Sequence, residues 1–170
     1  MIKHLTPRSK EEITSYYKQY SSEDKLFIGC KIDSILLVKE ALKYDVNIHK
    51  YDDWGLCLSS ANGYLEIVKI LLKNGANVHA NDDESIRYAS GNGHIEIVKI
   101  LLEAGADVHA KNDEALLRAN IGDHKEIIEL LSNKIKKNNR KVNTINKYLL
   151  TNKEKERIQI NKLMFNFLNI

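Results

Sequence analysis

The sequence predicts an all-α fold, a stack of about four helix-turn-helix repeats with short connecting turns, preceded by a capping helix and followed by a helical tail. Three observations carry this. Residues 62–80 (NGYLEIVKILLKNGANVHA) match residues 92–110 (NGHIEIVKILLEAGADVHA) at fourteen of nineteen positions, thirty residues apart. A fixed period of that size marks stacked units whose apolar faces are buried mainly by their neighbours. The step continues in both directions through Leu26, Leu56, Ile86 and Leu116, and through the small residues Gly29, Ser59, Ala89 and Ala119. Finally, Pro7 is the only proline, as a mostly helical chain requires.

In chain order, residues 1–20 form the capping helix. Ser9 and Glu12 make a capping box, and Ile13, Tyr16, Tyr17 and Tyr20 fall on one helical face. That tyrosine face either lies over the end of the first repeat or meets a partner. The repeats occupy 21–50, 51–80, 81–110 and 111–140. In the last three, Asp53, Asp83 and Asp113 stand before the first helix as N-caps, with Glu23 at the matching place of the first. A tight turn follows at Gly63 or Gly93, where a positive φ reverses the chain. The second helix carries its apolar face at Ile97, Val98 and Leu101, with Glu96, Lys99 and Glu103 on the wet side. Gly75 and Gly105 close that helix in the left-handed C′ position. Residues 141–170 form the tail, whose last residues, LMFNFLNI, are apolar enough to fold back on the stack.

The segment GHIEIVKILLEAGADV from Gly93 to Val108 resembles the signature of the ankyrin repeat, over about two thirds of the chain. The resemblance implies an α-solenoid that binds proteins without catalysis. Two departures stand out: the period is thirty where the family usually has about 33, and Glu84-Ser85-Ile86-Arg87 replaces the Thr-Pro-Leu-His tetrapeptide. A shortened β-turn finger is therefore expected between units. The inner repeats also resemble short ankyrin repeats encoded by giant DNA viruses of amoebae, which implies an intracellular setting in a host, in its cytoplasm or nucleus.

The chain has 170 residues, 43% hydrophobic and 29% charged, as one globular domain would. No run reaches the ~18 apolar residues of a membrane span, so no membrane partner is expected. Cys30 and Cys57 occupy small apolar positions of neighbouring first helices and read as buried, reduced thiols. The net charge is +3, but residues 134–162 hold ten Lys or Arg against Glu154 and Glu156. That segment could bind nucleic acid or direct the chain to the nucleus, yet no aromatic interleaves its basic cluster KIKKNNRK to stack bases.

His49, His79 and His109 recur at one site, too far apart along a stack of ~8–10 Å spacing to share a metal. They are expected to hydrogen-bond within the turns. His94 and His124 sit at the turn into the second helix and are read as structural too. No phosphate loop or nucleophile elbow is present, so neither catalytic, metal nor cofactor residues are assigned. The resemblance instead points to a partner groove along the turns and first helices. Its candidate residues are Tyr51, Asp52, Trp54, Asn81, Asp82, Glu84, Asn92, Lys111, Asn112 and Glu114. Trp54 is the only tryptophan and stands where sister units have Glu84 and Glu114. It is either an interface anchor or a gap-filler packed on Tyr51 or Tyr88. The acidic rim favours a protein partner with a basic surface, and the chain is expected to be monomeric.

Overall fold

The computed structural model describes residues 10–140, which are helical with no strand among them. The elements are α1 (Lys10–Tyr16), α2 (Ser22–Ile32), α3 (Ile35–Ala41), α4 (Lys50–Asn62), α5 (Leu65–Lys73), α6 (Ala80–Gly91), α7 (Ile95–Glu103) and α8 (Ala110–Ile121). Residues 125–140 are also helical. The chain divides into compact units at Met1–Leu131 and Ser132–Ile170. In the second, residues 132–140 are described and helical. The Ser9 half of the capping box, the apolar end of the tail and most of the basic segment lie outside the described residues.

Within the first compact unit, α2/α3, α4/α5 and α6/α7 form successive helix pairs, and α8 begins a fourth. First helices stack on first helices, α2 on α4, α4 on α6 and α6 on α8, while α3, α5 and α7 form the second row. The core is the set of positions that the thirty-residue step brings into line. Leu37, Ile67, Ile97 and Ile127 are buried, as are Ala41, Leu71, Leu101 and Leu131. At about 25 cal/mol per Å² of apolar surface removed from water, these rows supply the main force holding successive pairs together.

The helix ends show why this sequence breaks where it does. Ser21 caps α2 by accepting the Asp24 N–H at 3.1 Å, and Ser34 caps α3 through the Leu37 N–H. At the end of α5, Gly75 has φ 91°. Its N–H meets Leu72 O at 3.1 Å, and the Ala76 N–H meets Leu71 O at 3.0 Å. Gly105 (φ 101°) repeats both bonds with Leu102 and Leu101, so α5 and α7 each end in a Schellman motif. Ile135 stands at the equivalent place in the fourth unit, where no such stop occurs and the residues stay helical.

Gly63 and Gly93, both at φ 81°, do more than reverse the chain. A Cβ on Gly63 would come within 2.7 Å of the His94 ring, and one on Gly93 within 2.7 Å of His124. Each ring lies over the glycine of the preceding unit. From there its Nε2–H donates to a carbonyl at 3.0 Å, that of Ala61 from His94 and that of Gly91 from His124. A structural role for these two histidines is what the turns display.

The amino-terminal helix is shorter than its apolar spacing suggests. It ends at Tyr16, and Tyr17 and Tyr20 lie in the turns that follow. The three rings associate there, Tyr16 edge-on to Tyr17 at 4.9 Å and Tyr17 tilted to Tyr20 at 5.6 Å. α1 lies against α3, while Tyr16 stays exposed.

Leu101 is fully buried between helices. Leu101→Ala is expected to lower stability by ~2–5 kcal/mol, through lost burial and a residual cavity. Urea unfolding followed by circular dichroism checks this, and a loss below about half a kcal/mol would mean the helix faces are misassigned.

Candidate partner-binding surface

Between units the chain does not make the expected β-turn finger. Residues 51–53, 81–83 and 111–113 each run through three consecutive left-handed conformations, with φ between 51° and 61°. For an L-residue this conformation costs roughly 1–2 kcal/mol, and Asn and Asp tolerate it best. Seven of the nine residues are Asn or Asp, namely Asp52, Asp53, Asn81, Asp82, Asp83, Asn112 and Asp113.

The third residue of each turn is not the simple N-cap expected of it. Asp53 and Asp83 are buried. The Asp53 carboxylate accepts the Nδ1–H of His49 at 3.0 Å and the backbone N–H of Asn77 at 2.8 Å. Asp83 accepts the Nδ1–H of His79 at 3.1 Å and the backbone N–H of Asp107 at 2.8 Å. The carboxylate thus reaches across to the loop that closes its own unit, because the left-handed turn swings it inward. Asn77 and Asp107 in turn accept the His79 and His109 backbone N–H groups through their side chains. Asp113 bonds His109 at 2.8 Å and stays half-exposed. The recurring histidines therefore hydrogen-bond within the turns. Among the described residues, no group of three His, Cys, Asp or Glu is placed to hold a metal.

Across the junctions between first helices, positions 27 residues apart meet, and each junction has its own chemistry. Phe27 and Trp54 line one cleft together with Tyr51, over Leu26, Leu56 and Leu71. The cleft is partly open to solvent, with a volume of about 20 Å³. Cys57 and Glu84 meet at the second junction. Burial, followed by the neighbouring Glu84 carboxylate, pushes the Cys57 thiol up to about 12. Cys30, fully buried, is raised to about 11 by burial. Both thiols are free and protonated at neutral pH, so neither is a ready nucleophile.

The third junction is ionic. Arg87, buried, donates from Nη1 to Glu114 at 2.5 Å, from Nη2 to Asn81 O at 2.9 Å and from Nε to Asp82 O at 3.1 Å. It thereby ties down the carbonyls of the left-handed turn. Arg118 donates to Glu114 at 2.7 Å and lies 4.8 Å over the Tyr88 ring. The two guanidiniums, Arg118 first, hold the Glu114 carboxyl below its ordinary value, and Lys111, 2.8 Å away, does the same for Asp82.

The candidate residues fare differently within this surface. Tyr51, Asp52, Asn81, Asp82, Asn92, Lys111 and Asn112 are exposed, and Trp54 is 38% exposed. Asn92 donates to Ala61 O at 2.7 Å across a junction. Asn81 reaches Asp52 O at 3.5 Å, and Lys111 pairs with Asp82. Glu84 and Glu114 are half-buried inside junctions, so the acidic rim is weaker than its composition suggests. Sequence reasoning missed Phe27, Arg87 and Arg118. The 27-residue offset joining Arg87 to Glu114 and Phe27 to Trp54 was the available signal.

The family model described as ankyrin repeats (3 copies) matches residues 26–112 and again residues 56–144. A search of curated proteins finds no match.

Arg87→Met is expected to cost about 2 kcal/mol, since two turn carbonyls lose their donor while Arg118 still holds Glu114. Thermal or urea unfolding measures it. The Glu114 carboxyl sits below its ordinary 4.5 in the folded chain, so its pairing stabilises fully above about pH 4.5 and is lost as the pH falls through the lower folded value. The stability gap between wild type and Glu114→Gln should therefore be constant near neutrality and close below about pH 4.5. A gap that widens on acidification would contradict the assignment.

Proposed function

This chain belongs to the ankyrin-repeat family, and from that premise we propose that it is a non-catalytic scaffold gripping one protein partner on the concave side of its stack. Ankyrin repeats generally mediate protein–protein interaction, and proteins built of them are typically not enzymes. The observation that carries the reading here is the aromatic cleft of Phe27, Tyr51 and Trp54, partly open to solvent and floored by leucines. Aromatic side chains half-sunk in an apolar recess are the residues most often found at the energetic centre of an interface.

The charge available to steer a partner comes from around this cleft. Asp82 and Glu114 are neutralised by Lys111, Arg87 and Arg118. Glu23 lines the cleft, exposed Asp52 stands next to Tyr51 in sequence, and half-buried Glu84 lies at the following junction beside Cys57. These three carboxylates support a partner with a basic surface, contacted by Tyr51, Asp52 and Trp54 first and by Asn81, Asn92, Lys111 and Asn112 further along. The two free, buried thiols support a reducing compartment. The resemblance of the inner units to repeats of amoeba-infecting viruses supports a viral source and a host protein as partner.

The test begins with cross-linking mass spectrometry to identify the protein that joins to the turns, followed by calorimetry with that protein purified. Trp54→Glu, which installs the residue of the sister units, should leave the melting temperature nearly unchanged and remove ~2 kcal/mol or more of binding. Tyr51→Ala, at the most exposed wall of the cleft, should weaken binding in the same direction without touching the junction. Unfolding by Trp54→Glu together with normal binding by Tyr51→Ala would make Trp54 a packing residue and move the interface elsewhere.

A further inference from the structure

The sequence holds three Asn-Gly pairs, Asn62-Gly63, Asn74-Gly75 and Asn92-Gly93. This dipeptide is open to a reaction of its own, because no Cβ shields the glycine nitrogen. That nitrogen can attack Cγ of the asparagine side chain. The new C–N bond closes a succinimide ring, the Cγ–Nδ2 bond breaks, and ammonia leaves with the proton that the glycine nitrogen gives up. Water then adds to either ring carbonyl and reopens the ring. The product is aspartate, or isoaspartate, whose backbone detours through Cβ and Cγ. Closing the ring requires rotation about the asparagine Cα–C bond, which swings the glycine that follows. At Gly63 and Gly93 a histidine ring sits on that glycine, His94 and His124 respectively, each anchored to a carbonyl at 3.0 Å. Asn92 is held further by its own amide, which donates to Ala61 O of the preceding unit at 2.7 Å. At Gly75 no described atom lies within 4 Å of where a Cβ would stand, and Asn74 and Gly75 are both exposed. The Asn74 amide donates to Ile70 O at 2.8 Å, within its own helix. The glycine N–H bonds do not order the pairs in this way. Gly63 donates to Ser59 O, Gly75 to Leu72 O at 3.1 Å and Gly93 to Ser90 O at 3.4 Å, so the longest of these two measured bonds belongs to a clamped pair.

We propose that Asn74 is a site of spontaneous covalent modification, converting to aspartate and isoaspartate in the folded chain, while the histidines seated on Gly63 and Gly93 preserve Asn62 and Asn92. The reaction needs only water. Its position gives it an effect on the stack. Just beyond Asn74 the Ala76 N–H meets Leu71 O at 3.0 Å, and the Asn77 N–H reaches the buried Asp53 carboxylate at 2.8 Å. Isoaspartate adds a carbon atom to the backbone inside that short closure, so the two bonds cannot both keep their length. The new carboxylate also faces the negative end of the α5 dipole and no longer offers the amide donor to Ile70 O. Ala104 stands at the matching place of the third unit, which therefore does not share the reaction. Conversion loosens the closure of the second unit alone.

The full chain, incubated in mildly alkaline buffer at body temperature and digested at intervals in acid, is read by mass spectrometry for amide-to-acid conversion at each asparagine. Asn74 should convert at least ~10-fold faster than Asn62 or Asn92, because opening the chain beneath a seated histidine costs more than opening an exposed loop. In concentrated urea the three should convert at similar rates, which assigns the difference to the fold. His94→Ala should accelerate Asn62 and leave Asn74 unchanged. The melting temperature of the aged wild-type chain should fall as isoaspartate accumulates, and that of Asn74→Ala, which takes the residue of the sister unit, should hold. Equal rates at the three sites in the folded chain overturn the proposal, as does conversion led by Asn62 or Asn92. So does a preference for Asn74 that persists in urea, or an equal loss of melting temperature on ageing in Asn74→Ala.

Discussion

The closure of the inner units depends on a carboxylate buried at the third residue of two of the left-handed turns. Asp53 and Asp83 each hold a histidine four residues before and a backbone N–H twenty-four residues after. A buried carboxylate left without donors would be strongly unfavourable. Bonded this way it closes the helix pair into a unit and fixes where the next unit begins. It also offsets the unfavourable backbone of residues 51–53 and 81–83. The thirty-residue step therefore reflects a geometric requirement as well as a repeated pattern. Shifting the aspartate by one position would take it out of reach of both donors at once.

The junctions between first helices are free to vary within that frame. Phe27 with Trp54 is apolar, Cys57 with Glu84 mixed, and Arg87 with Glu114 ionic, although the backbone places all three pairs alike. The second helices carry near-identical buried rows, while the first helices pack closely on one another and carry individual chemistry towards the turns. Arg87 braces the turn carbonyls and neutralises Glu114 at once.

Much of the fold was legible in the sequence because it rests on periodic burial. Leu101, Ile97 and Val98 lie where their spacing puts them, and Gly75 and Gly105 end helices as glycines before a loop usually do. The turns were not legible. A positive φ at Tyr51 or Lys111 runs against the preference of those residues, and only the surrounding bonds impose it. Asp83 misled for a related reason: an aspartate ahead of a helix normally caps it, and nothing local reveals a carboxylate rotated inward to a loop 24 residues on. Tyr17 and Tyr20 continue the apolar spacing of α1 and yet leave the helix, since their rings pack on one another. Of the candidate site, exposure at Tyr51, Asp52 and Trp54 was foreseeable from position. The neutralisation of Asp82 and Glu114 was not, because it depends on which cations the next unit brings across.

The ring of His94 over Gly63, and of His124 over Gly93, has a consequence for how such a chain can change over time. Thirty-one residues before Tyr64 stands Asp33, also left-handed but bearing a side chain. A histidine cannot take its seat until the residue beneath it has lost its Cβ, whereas a glycine can appear first at little harm. The order of the two substitutions is thereby fixed: glycine must precede histidine, and histidine must leave before glycine is replaced. A unit copied from the middle of this stack and inserted at position 51 would arrive with a histidine and find Asp33 in its way. Lengthening by duplication is consequently easier between the two inner units than at the amino-terminal end.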